Sequence, residues 1–452
     1  MKTIEMQEAL RLVAKGTAVD AATRKRLQQE RLRELVQYVR RNSPYFAALY
    51  AGVGEDFALT DLPSTEKPAL LAHYDDWVTD PGLSLEGVLH YVGRPADDCS
   101  LLLGRYTALC TSGSTGSPLP MVRDDYHNRI HQAMMLQRLY KDIDTELLYA
   151  SRHRMASVVH TSPTASSYNA YLRTIAQYPQ TKANLLPLSV LDSIEQTVER
   201  LNDFQPEVLT GYASSLLLLA LEKEKGHLHA PVKLVTNSAE QLTPQAAERI
   251  AKAFGCPVIN NYCMTEGGEI AMTNGCRHLH LNEDWVIVEP VDAEKRPLPP
   301  DCTDFSEGLL ITDLSNYVQP IIRYYVSDRV RIVADHHCPQ SPLPILELDG
   351  RVMEPFSLCG KQFTMAAMVA KCDIWPGLLK YQIVQRSTNR MEVRGVCAAD
   401  ADPHAVLESL AQRLQEYFRQ NGCTDATFTH STEPLLFNPQ GGKIPRYINK
   451  KD

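Results

Sequence analysis

At 452 residues the chain exceeds what one hydrophobic core usually organises, which predicts two or three domains. Its 44% hydrophobic and 22% charged residues exclude a disordered or fibrous chain, and the lack of any run of eighteen apolar residues argues against a membrane-spanning helix. The 46 Lys and Arg stand against 54 Asp and Glu, a formal charge of -8 with no long basic run, which argues against a nucleic-acid partner.

In chain order, the opening MKTIEMQEALRLVAKG carries neither a long apolar stretch nor a small-residue cleavage site, so a cytoplasmic location is expected. Residues 20–41 place Leu27, Leu32, Leu35, Val36 and Val39 on one side at helical spacing, which predicts an amphipathic packing helix. Pro44 and the DLPSTEKP segment break that pattern and predict irregular or short-helical structure without visible chemistry. From residue 101 onward short apolar runs alternate with helical stretches. Strands are expected near 106–110, 156–160, 207–212, 232–237 and 257–262, with helices near 125–141, 190–203, 214–226 and 243–255. This alternation predicts parallel strands joined by crossover helices.

After residue 281 the texture turns strand-rich, with WVIVEPV, GLLITDL, IIRYYVSDRVRIV and PILELDG between turn residues, which predicts a smaller β-rich subdomain. Beyond Gly350-Arg351 come strands YQIVQR, MEVRGV and ATFTHS and a helix near 403–420, the pattern of a separate, mobile cap. The expected fold class is therefore α/β. A large N-terminal domain, residues 1–349, holds layered parallel sheets and the β-rich subdomain, and residues 350–452 form a small mobile α+β C-terminal domain.

Four segments carry candidate chemistry. Thr111, Ser112, Gly113, Ser114, Thr115 and Gly116 follow the strand TALC ahead of an expected helix. Their glycines allow close backbone approach and their hydroxyls can donate to phosphate oxygens; alone, the segment reads equally as a flexible Ser/Gly turn. It is not a Walker A loop. The second, Asn260-Asn-Tyr-Cys-Met-Thr-Glu-Gly-Gly268, runs from a strand end into a glycine turn, where Glu266 suits Mg²⁺ and Tyr262 offers a flat face to a purine. In the third, Arg323-Tyr-Tyr-Val-Ser-Asp328, an Asp at a strand end suits two ribose hydroxyls; a terminal salt bridge is the plainer alternative. The fourth is Gly441-Gly-Lys-Ile-Pro-Arg446, where Lys443 offers a point charge on what is otherwise a basic tail. Separately, Cys276, His278 and His280, with Cys263 as a further candidate, have ligand types that suit zinc, although CRHLHL also reads as a half-buried strand. The 11 Cys include no C-x-x-C pair, so most read as reduced buried thiols.

The order TSGSTGSP, NNYCMTEGG, RYYVSD, DGR and GGKIPR resembles the motif series of the adenylate-forming superfamily of acyl- and aryl-CoA ligases, peptide-synthetase adenylation domains and luciferases. LRELVQYVRRNSPYFAALY, CRHLHLNEDWVIVEPV and GKIPRYINKKD are similar to the phenylacetate-CoA ligase branch, so the resemblance covers nearly the whole chain.

The resemblance implies an AMP-forming ligase that uses ATP and Mg²⁺ to adenylate a small carboxylic acid, expected to be an aryl acid, and passes the acyl group to coenzyme A. Loading of a phosphopantetheine thiol on an acyl carrier protein is the alternative, and an inactive nucleotide-binding relative is the alternative of another class. Carried over by position, residues 111–117 would hold the β- and γ-phosphates, and Ser238, Ala239 and Glu240 would line the adenine with Asn261 and Tyr262. Thr265 would contact the α-phosphate, Glu266 would bind Mg²⁺, Asp328 would bind the ribose with Arg351 nearby, and Lys443 would bridge carboxylate and α-phosphate. Two departures stand out. The phosphate loop lacks the family's lysine, with Arg123 near in sequence as a substitute, and Val352-Met353-Glu354 replaces the usual acidic pair at the hinge.

Overall fold

The computed structural model describes residues 2–450 apart from 95–99, 112–118, 149–151, 160, 162–165, 191, 193, 274, 334–337, 352–355, 364–371, 373–374, 399–400 and 437–444. The chain divides into two compact units, Met1–Arg351 and Val352–Asp452.

In the first unit, Asp20 caps the Ala21–Asn42 helix by accepting the Thr23 N–H, and Pro44 opens the next short helix behind the Ser43 cap. The buried stripe of Ala21–Asn42 is Arg24, Gln28, Leu32, Leu35, Val36 and Val39. The expected stripe is thus corrected at its start: Leu27 is only half-buried, and Arg24 and Gln28 point inward. Those two polar residues can be buried because Arg24 pairs with Glu283 at 2.6 Å and donates to the carbonyls of Val19 and Pro342, while Gln28 donates to the Glu283 carbonyl.

Among the described residues, nine strands form one mixed sheet in the spatial order Asp328–Val333, Ile345–Arg351, Leu279–Leu281, Gly268–Thr273, Val258–Met264, Leu234–Ser238, Val208–Gly211, Met155–Val159 and Leu185–Ser189. The last five pair in parallel through the crossover helices Ser166–Gln177, Ile194–Phe204, Ala213–Glu224 and Pro244–Phe254. Their chain order across the sheet, 2-1-3-4-5, is that of a doubly wound domain, whose ligands bind outside the carboxyl ends of the strands. The other four are antiparallel additions. A three-stranded sheet of Val286–Val291, Gly308–Asp313 and Tyr324–Val326 supplies the β-rich part.

Two further expectations need correction. The segment after Cys110 does not run from strand to helix: it closes a hairpin between Thr107–Cys110 and Pro120–Arg123, and the helix begins only at Asp125. Nor is residues 125–141 one α-helix. It is α-helical over Asp125–Met134 and then widens into a π-turn over Met135–Leu139, where Tyr140 N bonds to the Met135 carbonyl. Arg138 in that turn is fully buried against Asp284 at 2.9 Å and Asn282 at 2.8 Å.

The second unit is a four-stranded sheet, ordered Thr427–Ser431, Arg390–Cys397, Leu378–Gln385 and Tyr447–Asn449, with the helix Pro403–Gln420 against it. That helix is capped by Asp402 and buries Leu407, Leu410, Ala411, Leu414 and Phe418. Among the described residues no helix is long and apolar enough to cross a membrane.

Candidate nucleotide and acyl-transfer site

The carboxyl ends of the parallel strands bring the candidate residues together. Leu234–Ser238 ends in Ser238, and Ala239 turns the chain with a left-handed φ of 65°. Asn237 holds this turn, its Nδ2 donating to the Glu240 carbonyl at 2.9 Å and to Asn260 Oδ1 at 2.7 Å on the next strand. Ser238, Ala239 and Glu240 therefore lie beside the Val258–Met264 strand that carries Asn261 and Tyr262, with Ser238 paired to Asn261 in the ladder. Asn261 is buried and its Oδ1 has no hydrogen-bond partner among the described residues, an acceptor suited to an amine donor.

Tyr262 Oη donates to Asp328 Oδ2 at 2.8 Å, which joins two segments 66 residues apart. Asp328 opens its strand opposite Arg351 in the ladder with Ile345–Arg351. The second and third segments thus meet through Tyr262 and Asp328, with the DGR arginine opposite Asp328 in the ladder.

Thr265 and Glu266 follow the strand as a half-buried turn. Arg123 Nη2 donates to the Thr265 carbonyl at 2.8 Å, so the strand leaving the phosphate loop grips this turn through its backbone. Partial burial holds the Lys67 ammonium below its ordinary pKa, against the opposing pull of Glu266 and Cys110. Lys67, Glu266 and the residue before Thr111 therefore share one electrostatic neighbourhood, and Lys67 comes from a segment whose sequence showed no chemistry. Thr111 bonds to both sides of Leu119: its N–H donates to the Leu119 carbonyl at 3.0 Å and its Oγ1 accepts the Leu119 N–H at 2.9 Å, which pins the base of the loop. Ser112, Gly113, Ser114, Thr115, Gly116 and Lys443 lie outside the described residues.

Beneath the Glu266 turn lies a buried polar cluster that sequence reasoning missed. His131 Nδ1 meets Glu269 Oε2 at 2.5 Å, His131 Nε2 meets Ser315 Oγ at 3.0 Å, and His127 Nδ1 meets Asp313 Oδ2 at 3.2 Å. Burial alone would lower the His131 pKa, but Glu269 and Asp313 outweigh it and push it up to about 9. His127, with burial and His131 both acting on it, falls to about 4. The available signal was two histidines four apart on a predicted helix, but their partners are more than a hundred residues away in sequence.

A second group, Cys276, His280 and Cys338, brings its ligand atoms within 4.8 Å of one another. Cys276 Sγ is 3.2 Å from His280 Nε2, and His280 Nδ1 donates to the Leu343 carbonyl at 2.7 Å, which turns Nε2 toward the cysteine. The expected zinc set is corrected in membership. His278 is exposed and outside the group, because the strand begins only at Leu279 and the alternation that would align His278 with His280 does not reach it. Cys263 is also outside this group.

No family model matches the chain. In sequence it is similar to protein CapK of Staphylococcus aureus, 24% identical over 246 residues, 51% of each chain. It is also similar to phenylacetate-coenzyme A ligase of Thermus thermophilus, 25% identical over 323 residues, 67% of this chain and 64% of that one. The chain therefore spans about half to two thirds of the length of these curated relatives. In structure it is similar to 2-hydroxyisobutyryl-CoA ligase in the postadenylation state with 2-HIB-AMP, at a TM-score of 0.66 and 16% identity over 96% of this chain and 91% of that one. The same ligase with 2-HIB-AMP and CoA in its thioesterification state gives 0.54 at 17% identity, over 97% and 92%. The fold is that of the adenylate-forming ligases.

Proposed function

We propose that the chain is an AMP-forming acid–thiol ligase. The carboxylate of a small, expectedly aryl, acid attacks the α-phosphorus of ATP and pyrophosphate leaves. A thiol, that of coenzyme A or of a carrier's phosphopantetheine, then attacks the acyl carbon of the adenylate, releasing AMP and a proton. The observation that carries this reading is the Tyr262–Asp328 hydrogen bond of 2.8 Å beside the Thr265–Glu266 turn, which joins two separate sequence motifs. The likeness to a ligase in complex with an acyl-adenylate and CoA supports it.

In this reading the ribose hydroxyls donate to Asp328, which Tyr262 orients, and the adenine packs over the Tyr262 ring beside Ser238–Glu240. The half-buried Glu266 carboxylate fits Mg²⁺, a hard cation that keeps several waters, and the ion when bound would neutralise phosphate charge. The Thr265 hydroxyl is assigned to the α-phosphate, with its backbone held by Arg123. Two anions must approach each other in the first step, so fixed positive charge matters more than covalent help, and Lys443 is assigned that part.

The same reading assigns a structural zinc to Cys276, His280 and Cys338. Two thiolates and one neutral imidazole would balance its charge. Metal analysis of the purified chain is expected to find about one zinc per chain, lost in Cys276→Ser. Zinc-free protein of unchanged stability removes the assignment.

The test of the function is ATP consumption with pyrophosphate release across a panel of aryl and aliphatic acids, with and without CoA or a pantetheinylated carrier. The expected result is AMP formed with one class of acid, and the thiol that drains the adenylate names the acceptor. Silence across the panel favours the inactive relative.

A further inference from the structure

We propose that His131 and Glu269 are positioning residues for acid adenylation: as a buried ion pair they clamp the Thr265–Gly268 turn onto the helix that follows the phosphate loop. The proposal rests on the ligase reading above and adds residues that none of its motifs contains.

Proton counting fixes the state of the pair. The Ser315 hydroxyl has one proton and donates it to Asp313 Oδ1 at 2.6 Å, so Ser315 Oγ faces its two histidine neighbours as an acceptor. His127 Nδ1 and His131 Nε2 each lie 3.0 Å from that oxygen, so both must carry a proton. One proton lies between His131 Nδ1 and Glu269 Oε2 at 2.5 Å, and we assign it to the nitrogen because a carboxylic acid is the stronger acid of the two. His131 is therefore doubly protonated, an imidazolium between Glu269 and the Ser315–Asp313 pair. The Glu269 N–H also points at this Nδ1, at 3.1 Å, so backbone and carboxylate of Glu269 both close on the same ring nitrogen.

Steric fit says what this charge holds. A Cβ on Gly268 would come 2.1 Å from the His131 ring, and one on Gly267 would come 2.8 Å from Ile311, so the turn lies flat on the cluster. Gly268 also has a φ of 63°, which favours glycine independently. Three attachments then converge on the five residues Thr265–Glu269: Arg123 on the Thr265 carbonyl, the His131 ring against Gly268, and the ion pair at Glu269. Asp313 and Ser315 belong to the segment that leads to the Arg323–Asp328 motif, so one buried cluster ties together the segments assigned to phosphate, Mg²⁺ and ribose. A turn that must present a carboxylate and a hydroxyl to phosphate loses rate when it shifts by about an ångström.

The test uses the full chain with the acid that supports wild-type pyrophosphate exchange, and the variants His131→Gln, Glu269→Gln and Gly268→Ala. Glu269→Gln keeps shape and removes charge, whereas Gly268→Ala keeps charge and displaces the turn. Each is expected to slow ATP–pyrophosphate exchange about a hundredfold and to raise the half-saturating Mg²⁺ about tenfold, with thioester formation from supplied acyl-adenylate within about threefold of wild type. Exchange at the wild-type rate in the variants overturns the positioning role alone. Parallel loss of both half-reactions with a fallen melting temperature in all three reduces the cluster to scaffold and also overturns it. A wild type without exchange on any acid overturns the ligase reading and this proposal together.

Discussion

The edge of the nucleotide site and the floor beneath it are built on opposite principles. At the edge, Tyr262, Thr265 and Glu266 are half-exposed, and the hydroxyl–carboxylate bond from Tyr262 to Asp328 can be exchanged for water or ligand at modest cost. In the floor, His127, His131, Asp313 and Ser315 are buried and share their few protons, so removing any one leaves another polar group without a partner. The edge can be changed at the expense of chemistry, and the floor at the expense of the fold that presents the chemistry.

The largest expected effect breaks the floor. Asp313→Ala removes the acceptor of Ser315, a partner of the neutral His127 and a counter-charge of His131, and should cost about 3–5 kcal/mol of folding stability, read from urea unfolding of the first unit's transition. A loss below about 1 kcal/mol would place the floor on the same footing as the edge. The pH dependence follows from the same groups, which also include Arg123 and Asp124. The folded His131 pKa of about 9 lies above its ordinary 6.5, so its stabilisation is fully present below 6.5 and is lost as pH rises through about 9. Glu269 is held down to about 2 by His131, Arg123 and His127 against its own burial, so its contribution is present above its ordinary 4.5 and lost only as pH falls through about 2. Stability attributable to the pair should therefore be flat between the ordinary values of 4.5 and 6.5, decline as pH rises through about 9, and decline again as pH falls through about 2. In His131→Gln that alkaline decline should disappear from unfolding curves measured between pH 7 and 10, a range spanning the 9 of the folded group.

Why one region was legible and the other was not follows from what sequence patterns encode. The edge residues sit within short motifs, and the strand–helix alternation from Val208 to Met264 placed those motifs at strand ends, where a doubly wound sheet binds ligands. The helix of His127 and His131 was legible as a helix, but its inward face was not, because Glu269 and Asp313 reach it only through strand pairing across more than a hundred residues. Cys338 escaped the zinc reading for the same reason, lying 58 residues beyond His280 on the far side of a strand. Arg24 and Gln28 escaped because hydrophobic periodicity assigns polar residues outward, and only the backbone carbonyls they meet make their burial affordable.

Asp328→Ala sharpens the contrast from the edge. It removes an acceptor assigned to ribose hydroxyls, and charged hydrogen bonds of about 1.5–3 kcal/mol translate to a rise of about tenfold to a hundredfold in KM for ATP. The urea midpoint should fall by less than in Asp313→Ala, since the buried Asp328 accepts from a half-exposed phenol, whereas Asp313 faces the Ser315 hydroxyl and two buried histidines. A fall in stability comparable to that of Asp313→Ala would erase the distinction between the two regions.

The smallest effect is the most discriminating. Tyr262→Phe deletes only the hydroxyl that donates to Asp328 at 2.8 Å and leaves the ring. If the ring packs on adenine and the hydroxyl merely orients Asp328, the loss should be about 0.5–1.5 kcal/mol, a threefold to tenfold rise in KM for ATP with kcat unchanged. Tyr262→Ala should then lose more, by the stacking that the ring supplied, about 0.5–1.5 kcal/mol further. Equal losses in Phe and Ala variants would assign the whole effect to the hydroxyl, and the adenine would have to be stacked elsewhere. A fall in kcat with KM unchanged would put the Tyr262–Asp328 bond on the side of the reacting atoms, as part of the machinery that the buried floor holds in register.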